Sequence, residues 1–288
     1  MTRSKATLVG FGAVLLWALL ALFTVGSAPV PPFQLAAMCF AIGGTLGGVW
    51  IGTSTGFSVL RGVSWRVYVF GTLGLFGYHA LYFSALRMAP AAEAGLIAYL
   101  WPLMIVLFSG LLPGEHLRPL HVIGALISFA GAALIVLGGA TGFSAQALPG
   151  YGLALLCALT WSGYSVLSRR LGDTPTASVV VFCLATAVLA LGAHMMFEDT
   201  VWPTSRLGWL SIMGLGLGPV GLAFYVWDVG VKRGDIQLLG VASYGAPLLS
   251  TLVLIFAGIA APSLSLLLAG LLITFGAVMA ARASTTKG

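Results

Sequence analysis

The stretch Gly95 to Pro102, GLIAYLWP, decides the fold, because it returns later in the chain as Gly240 to Pro247, GVASYGAP. Glycine, tyrosine and proline hold the same three positions in both copies, and each pair is 145 residues apart: 240 − 95, 244 − 99 and 247 − 102. The same offset pairs Arg87 with Lys232. A similarity that recurs at one fixed spacing is typical of a duplicated unit. The sequence therefore predicts two repeats, each about half of the chain.

The composition indicates that this chain lies in lipid. Of its 288 residues, 59% are hydrophobic and only 7% are charged, whereas soluble domains carry about 25% charged residues. Apolar segments of about 20 residues, long enough to cross a hydrocarbon core, recur ten times between residues 8 and 281. Segments so long and so continuously apolar exclude a lipid-facing β-barrel. We expect an all-α integral membrane protein with five transmembrane helices in residues 1–142 and five in residues 143–288.

The odd number of crossings in each repeat determines the topology. The second repeat must enter the bilayer in the opposite sense, which predicts two inverted-topology repeats around a central cavity, as in many secondary transporters. Basic residues are enriched in cytoplasmic loops. With both termini in the cytoplasm, only Arg87 and Arg206 lie outside, so 13 − 2 = 11 basic residues lie inside. The charge of +6 then reflects topology, and we expect no nucleic-acid partner.

Several motifs that would indicate an enzyme or a cofactor are missing or misplaced. The sequence holds no HExxH, no GxSxG and no cluster of cysteine and histidine, and its three cysteines all fall within apolar spans. Gly216, Gly218 and Gly221 match the GxGxxG fingerprint, but no strand precedes them and no βαβ unit surrounds them. We therefore predict no enzyme activity, no cofactor and no metal site.

Four stretches of the chain resemble a known family. They are ALRMAPAAEAGLIAYLWPL at 85–103, VGVKRGDIQLLGVASYGAPL at 229–248, LLPGEHLRPLHVIGALISFAGAALIVLG at 111–138 and LLWALLALFT at 15–24. They are similar to the ten-span EamA-type branch of the drug/metabolite transporter superfamily, and within it to the aromatic amino acid exporters. In the family, a glycine and a glutamate follow the fourth span of each repeat. The first repeat has this pair as Gly114 and Glu115, but the second repeat departs from the pattern, because Ala260 stands in place of the acid.

The resemblance implies a function and a location. It implies a multi-pass protein of the bacterial inner membrane that exports amino acids, chiefly phenylalanine, tyrosine and tryptophan, by alternating access. Helices of both repeats would surround the cavity, with spans 3, 4, 8 and 9 among its walls. Two alternatives stay open: a carrier for another small solute, and a passive channel. The protein is expected to work as a monomer or a homodimer.

The third span carries the first candidate substrate-binding residues, Tyr78, His79 and Tyr82. Their spacing places all three in one arc of a helix. His79 lies eight residues before Arg87, about 12 Å from the helix end at 1.5 Å per residue. A histidine at that depth is expected to face the interior of the bundle. It either contacts substrate in the cavity or bonds to a neighbouring helix.

The repeated stretch supplies candidates for the binding site and for a gate. Tyr99 and Trp101 in the first copy and Tyr244 in the second are aromatic residues next to a proline, Pro102 or Pro247. Proline removes one helical hydrogen bond and kinks the helix, which leaves the carbonyl of Ala98 open to a substrate ammonium group. The repeat glycines, Gly95 and Gly240, are expected at the same hinges. A packing kink without a role in transport is the alternative.

The first, sixth and eighth spans contribute the remaining aromatic candidates and one further proline. Trp17 of the first span and Trp161 of the sixth are equivalent at an offset of 144, and both are expected to line the cavity. Tyr164 shares a helical face with Trp161. In the eighth span, Pro219 lies among glycines and marks a flexible segment or a close helix contact. Tyr225 is a further cavity candidate.

Two carboxylates have a candidate polar role. Glu93 stands near the start of the fourth span, where it either caps the helix or serves as a proton site. Asp228 precedes Lys232 by four residues, so it either forms an ion pair on one helical face or attracts an amino group at the inner mouth. No chain of carboxylates such as a proton pump needs is visible, which favours export with weak or no ion coupling.

Overall fold

The computed structural model describes residues 1–137, 142–171 and 174–285. Within these ranges ten helical spans are long and apolar enough to cross a membrane, and none of the residues forms a strand. The prediction of an all-α, ten-span protein is thereby confirmed. In chain order, spans 1 to 10 are Arg3–Gly26, Pro32–Thr53, Trp65–Met88, Ala91–Ser109, Pro119–Val136, Ala145–Arg170, Thr176–Phe197, Arg206–Arg233, Ile236–Phe256 and Leu264–Ser284.

Four of these spans are interrupted α-helices. Spans 4 and 9 break just before Pro102 and Pro247, and span 8 contains a π-helical turn with Pro219 at its start, because a proline ring cannot continue a regular α-helix. Span 1 breaks without proline, in a tight turn where the Leu19 N–H bonds to the Leu16 carbonyl. The segments are Arg3–Trp17 and Leu20–Gly26; Ala91–Ala98 and Trp101–Ser109; Arg206–Leu217, Gly218–Leu222 and Ala223–Arg233; and Ile236–Ala242 and Gly245–Phe256.

The contacts between the two halves of the chain are symmetric. Spans 2, 4 and 5 pack against their repeat equivalents, spans 7, 9 and 10. Span 1 packs against span 8, and span 3 packs against span 6. If the first five spans are exchanged with the last five, this set of contacts is unchanged. Close packing between the halves therefore encloses a common interior.

Ion pairs and hydrogen bonds identify the two ends of the bundle. At one end, Arg3 lies 3.1 Å from Glu115 and 3.3 Å from Asp235, three residues that come from the start of span 1, the loop after span 4 and the start of span 9. At the other end, Arg87 at the end of span 3 lies 3.1 Å from Glu198, which follows span 7. We call these the Arg3 end and the Arg87 end.

Glycines of span 2 allow close helix packing within the chain. A Cβ atom on Gly43 would lie 2.8 Å from the Gly221 Cα, and one on Gly44 would lie 2.5 Å from the Leu184 side chain. A larger residue at Gly43 would have to displace the backbone of Gly221, and one at Gly44 would have to displace the Leu184 side chain. Two of the small residues in the double GxxxG pattern of span 2 therefore serve the packing of span 2 on spans 7 and 8.

Candidate functional site

A central cavity with two connected lobes occupies the space between the halves. The wide lobe has a volume of about 760 Å³, and its lining reaches the loop residues Ala28, Pro29 and Val30 and the side chains Leu86 and Leu254, which all lie toward the Arg87 end. The deep lobe has a volume of about 150 Å³. The residues that line both lobes are Trp17, Leu20, Tyr78, His79, Tyr82, Tyr99, Val220 and Ala246.

A cluster of four tryptophans forms the floor of the deep lobe: Trp17, Trp101 and Trp161 line it, and Trp227 packs against them from behind. The centroid of the Trp17 ring lies 5.9 Å from that of Trp101, 6.1 Å from that of Trp161 and 5.1 Å from that of Trp227. Trp17 also donates from its indole nitrogen to the carbonyl of Pro219 at 3.2 Å, so the π-helical turn of span 8 holds the ring in place. This floor separates the cavity from the Arg3 end.

The aromatic arc of span 3 forms one wall. Tyr78 stacks on Tyr82 with centroids 6.2 Å apart and lies 5.5 Å from the Trp161 ring. His79 packs edge-on against Phe40 at 5.0 Å. Its Nδ1 lies 2.8 Å from the Leu75 carbonyl oxygen, which can only accept, so Nδ1 carries the proton. In the neutral ring, Nε2 is then an acceptor on a residue that lines the cavity.

The interruptions of spans 4 and 9 bring different side chains to the cavity. In span 4, Tyr99 and Trp101 contribute their rings to the lining. In span 9, Ala246 and Pro247 line the wide lobe. Tyr244, the equivalent of Tyr99, is fully buried, and its hydroxyl accepts a hydrogen bond from the Leu103 N–H at 3.0 Å.

Three of the predicted aromatic residues lie outside both lobes, and the structure does not bring them to the lining. Tyr164 is 4% exposed and packs its ring on Gly74 of span 3. Tyr225 donates its hydroxyl proton to the Gly43 carbonyl at 3.0 Å, on the side of span 8 that faces span 2. Tyr244 caps the helix of span 4, as described above.

Some of the predicted hinge residues line the cavity and others do not. Pro219 and Pro247 line the cavity, whereas Pro102, Gly95 and Gly240 do not. A Cβ atom on Gly240 would lie 3.1 Å from the Pro102 carbonyl oxygen, so these two residues form a close contact between spans 9 and 4. Gly95 lies beside span 5, where an added Cβ would lie 3.5 Å from Val136.

The two carboxylates also lie away from the cavity lining. Glu93 is fully buried in the first turn of its helix and accepts a hydrogen bond from the Gly142 N–H at 2.9 Å. Asp228 is 1% exposed and lies 2.8 Å from the ammonium nitrogen of Lys232. Thr176 donates its hydroxyl proton to the other oxygen of Asp228 at 2.7 Å. The ion-pair alternative for Asp228 is therefore the one that the structure supports.

Several lining residues are absent from the sequence prediction. The rings of Phe40, Phe83 and Phe224 line the cavity, and so do the hydroxyl residues Thr24, Ser250 and Thr251. Phe83 follows His79 by four residues, so the helical spacing that grouped the arc of span 3 also points to it. Phe40 lies in a uniformly apolar span, where the sequence carries no signal that distinguishes it.

The cavity lining is aromatic and uncharged. In the part of the chain that the structure describes, no arginine, lysine, aspartate or glutamate lines either lobe. A strongly anionic or cationic solute would lack a buried countercharge here, which makes its transfer from water costly. A net-neutral solute with an aromatic ring and short polar groups is complementary to this lining.

Comparison with known proteins places the chain in a family. The model of the EamA-like transporter family matches residues 4–137 and again residues 148–282. The chain belongs to the EamA-like transporter family. It is a membrane transporter, and the expected membership of the drug/metabolite transporter superfamily is confirmed.

Individual proteins similar to this EamA-like transporter include exporters and a solved structure. The chain is 56% identical over 284 residues to the aromatic amino acid exporter YddG of Ancylobacter novellus, which covers 97% of this chain and 98% of that protein. It is 29% identical to the aromatic amino acid exporter YddG of Salmonella typhimurium, over 87% of this chain and 88% of that protein. A crystal structure with 54% sequence identity superposes with a TM-score of 0.95 and full coverage of both chains.

Proposed function

We propose that this transporter exports phenylalanine, tyrosine and tryptophan across the bacterial inner membrane by alternating access. The observation that carries the proposal is the uncharged, ring-lined cavity of about 760 Å³ between the two halves. The 56% identity to a protein named aromatic amino acid exporter supports the same substrate class.

The proposed binding mode uses the two kinds of group in the lining. The substrate ring lies among Tyr78, Trp101 and Trp161, where each aromatic contact contributes about 0.5–1.5 kcal/mol beyond the burial of surface. The α-ammonium group donates to Nε2 of His79, whose Nδ1 is already engaged by Leu75. The carboxylate accepts from hydroxyl groups of the lining, which include Tyr82, Tyr99 and Ser250.

Alternating access rests on two inverted repeats, residues 1–142 and 143–288. The double match of the family model supports this division, as does the set of helix contacts that exchange of the halves preserves. Residues 138–141, next to the proposed boundary, lie outside the described part of the chain. The equivalent residues Arg87 and Lys232 have their partners at opposite ends of the bundle, Arg87 with Glu198 and Lys232 with Asp228 and the Thr174 carbonyl. The excess of basic residues then assigns the Arg3 end and both termini to the cytoplasm.

Transport is proposed to proceed without proton coupling. The described lining contains no carboxylate, and both candidate carboxylates are engaged elsewhere, Glu93 by Gly142 and Asp228 by Lys232. The cavity forms between the halves of a single chain, so a monomer is sufficient for this mechanism.

The test is flux through purified protein in liposomes loaded with labelled phenylalanine. A carrier for this substrate class shows saturable flux that tyrosine and tryptophan inhibit and that unlabelled phenylalanine on the opposite side accelerates. Non-saturable flux without this acceleration would indicate a channel. Inhibition by a nucleotide sugar but by no amino acid would indicate another substrate class. An imposed pH gradient is expected to leave the flux unchanged.

A matched pair of histidine variants tests the binding mode. His79→Ala removes the acceptor proposed for the ammonium group and is expected to lower phenylalanine flux, mainly by raising KM. His116→Ala changes an exposed histidine in the loop after span 4 and is expected to leave flux unchanged. Equal flux in the two variants would remove His79 from the binding site.

A further inference from the structure

The structure contains an ionic cluster at the Arg3 end that joins four spans; its carboxylates are buried, and its Arg3 side chain is 39% exposed. Glu115 contacts Arg3 through Oε2 at 3.1 Å and Arg169 through Oε1 at 2.6 Å, and Arg3 also contacts Asp235 at 3.3 Å. Arg169 donates further to the carbonyls of Val231 at 3.0 Å and Gly234 at 2.8 Å. The cluster therefore connects spans 1, 4, 6 and 9 with the end of span 8. Its two arginines and two carboxylates balance in charge.

The cluster holds together the helices that close the cavity at the Arg3 end. The side chain of Glu115 is 3% exposed and that of Asp235 is 10% exposed, so the carboxylates lie inside the bundle. Removal of one partner from a buried, hydrogen-bonded ion pair leaves a charge without compensation, which is strongly unfavourable. Spans 1, 4 and 9 are also walls of the cavity. They cannot part at the Arg3 end unless the cluster breaks.

The relation between the repeats identifies the residues that occupy the equivalent positions at the Arg87 end. Under the exchange of halves, spans 1, 4, 6 and 9 become spans 6, 9, 1 and 4, so the same four helices meet at the Arg87 end. An offset of 145 maps Arg3 to Leu148 (3 + 145), Glu115 to Ala260 (115 + 145), Arg169 to Thr24 (169 − 145) and Asp235 to Pro90 (235 − 145). None of the four equivalents is charged. Spans 1 and 6 also align with an offset of 144, the spacing of Trp17 and Trp161. With this offset Arg3 corresponds to Ala147 and Arg169 to Val25, which are also uncharged.

The observed cavity agrees with this difference between the ends. Thr24, the equivalent of Arg169, lines the wide lobe, which extends to the loop between spans 1 and 2 at the Arg87 end. At the Arg3 end, the tryptophan floor and the ionic cluster lie between the cavity and the outside.

We propose that the cluster of Arg3, Glu115, Arg169 and Asp235 is a one-sided lock that sets the resting orientation of the transporter. It stabilises closure at the Arg3 end. At the opposite end the equivalent positions of the same four spans are uncharged, and the ion pair of Arg87 with Glu198 joins the ends of spans 3 and 7 instead. The empty protein therefore rests with its cavity open at the Arg87 end. Glu115 is the central positioning residue, since it contacts both arginines. The proposal rests on the alternating access proposed above, but not on the identity of the substrate.

The test measures the accessibility of single cysteines in detergent-solubilised protein without substrate. In a variant that lacks Cys39, Cys157 and Cys183, one reporter is Ser250→Cys in the wide lobe and the other is Ser168→Cys, a buried position next to Arg169. A hydrophilic maleimide should label the Ser250→Cys reporter quickly and the Ser168→Cys reporter slowly. Labelling requires no transport, so a wrong substrate assignment would not alter the result.

Glu115→Gln tests the lock with little change of shape. It is expected to raise the labelling rate of the Ser168→Cys reporter and to lower that of the Ser250→Cys reporter, each about tenfold, the size of a typical conformational coupling. Asp235 is unsuitable because it also caps the helix of span 9, where its Oδ1 accepts from the Leu238 N–H. Glu198→Gln, which removes a buried acid at the Arg87 end, serves as the matched control and should leave the Ser168→Cys reporter protected.

The outcomes distinguish a lock from general loosening. Opposite changes at the two reporters support the proposal. Unchanged labelling at both reporters, or faster labelling at both, would overturn it. A second variant adds an ion pair at the opposite end: in the Glu115→Gln protein, the paired substitutions Thr24→Arg and Ala260→Glu place a cation and an anion at the equivalent positions. They are expected to lower labelling of the Ser250→Cys reporter further, and no decrease would contradict a lock defined by these positions.

Discussion

The helix interruptions in spans 4 and 9 have the same backbone pattern but expose different chemistry. Each interruption lies within a Gly-x-x-x-Tyr-x-x-Pro sequence. Two residues separate the helical segments, 99–100 in span 4 and 243–244 in span 9. At the first, Tyr99 and Trp101 line the cavity; at the second, Ala246 and Pro247 do. Duplication has therefore preserved the backbone break, while only the first copy of the repeated pattern places aromatic side chains at the cavity.

The second tyrosine has a structural role that the first does not share. The helix Trp101–Ser109 begins after the interruption, so the N–H groups of its first turn have no partner in a preceding helical turn. The hydroxyl of Tyr244 accepts from one of them, the Leu103 N–H. One repeat thus caps the broken helix of the other, and this cap holds Tyr99 and Trp101 at the cavity.

The largest expected effect comes from making the two interruptions alike. Ala246 is the equivalent of Trp101 and lines both lobes. Ala246→Trp would place an indole in the space proposed for the substrate ring, so phenylalanine flux in liposomes is expected to fall to background. Ala257→Trp, at an exposed position after the same helix, is the control and should transport normally. Normal flux in the Ala246→Trp protein would contradict a substrate path through the shared part of the cavity.

The reverse change removes the aromatic side chain of the first repeat. Trp101 is 5% exposed and packs against Trp17, Trp161 and Trp227. Trp101→Ala is therefore expected to lower flux and also to destabilise the protein by about 3–5 kcal/mol, the usual cost of truncating a buried tryptophan. Thermal unfolding in detergent measures the second effect. A loss of flux without any loss of stability would mean that the four-tryptophan cluster contributes little to the fold.

The two tyrosines of the repeated pattern offer a sharper comparison. Tyr244→Phe leaves the partly buried Leu103 N–H without its acceptor, and an unsatisfied donor that is shielded from water costs about 1–3 kcal/mol. Tyr99→Phe removes a hydroxyl that lines the cavity, so its effect on stability is expected to be smaller and its effect on phenylalanine KM larger. Chemical or thermal unfolding and flux kinetics on both variants separate the two roles. Equal losses of stability would show that the cap at Leu103 has no special importance.

The fold could be predicted because its signals are local or periodic. Hydropathy over about 20 residues identifies a span in isolation, and the offset of 145 between Gly95 and Gly240 identifies the repeat without any knowledge of contacts. The arc of Tyr78, His79 and Tyr82 follows from helical spacing within a continuous helix, Trp65–Met88. These predictions needed no information from other helices.

The rest of the site depends on how helices are rotated against each other. A π-helical turn at Gly218–Leu222 changes the phase of span 8, so the residues that follow it present a different side to the cavity than a regular helix would. Phe224 lines the cavity and Tyr225 faces span 2. Tyr244 was assigned to the lining by its repeat equivalence to Tyr99, but the bond to Leu103 depends on a contact between halves that no local pattern records.

The smallest expected effect concerns the glycines that open each copy of the repeated pattern. An added Cβ on Gly240 would lie 3.0 Å from Val106 and 3.1 Å from the Pro102 carbonyl oxygen, whereas one on Gly95 meets nothing closer than 3.5 Å. Overpacking typically costs about 1–3 kcal/mol, and alanine gains up to about 1 kcal/mol over glycine inside a helix. Gly240→Ala should therefore lose about 1 kcal/mol of stability, while Gly95→Ala should be neutral or slightly stabilising. Unfolding midpoints of the two variants in one detergent measure the difference. If both variants shifted in the same direction, the close contact between spans 9 and 4 would not distinguish the two interruptions.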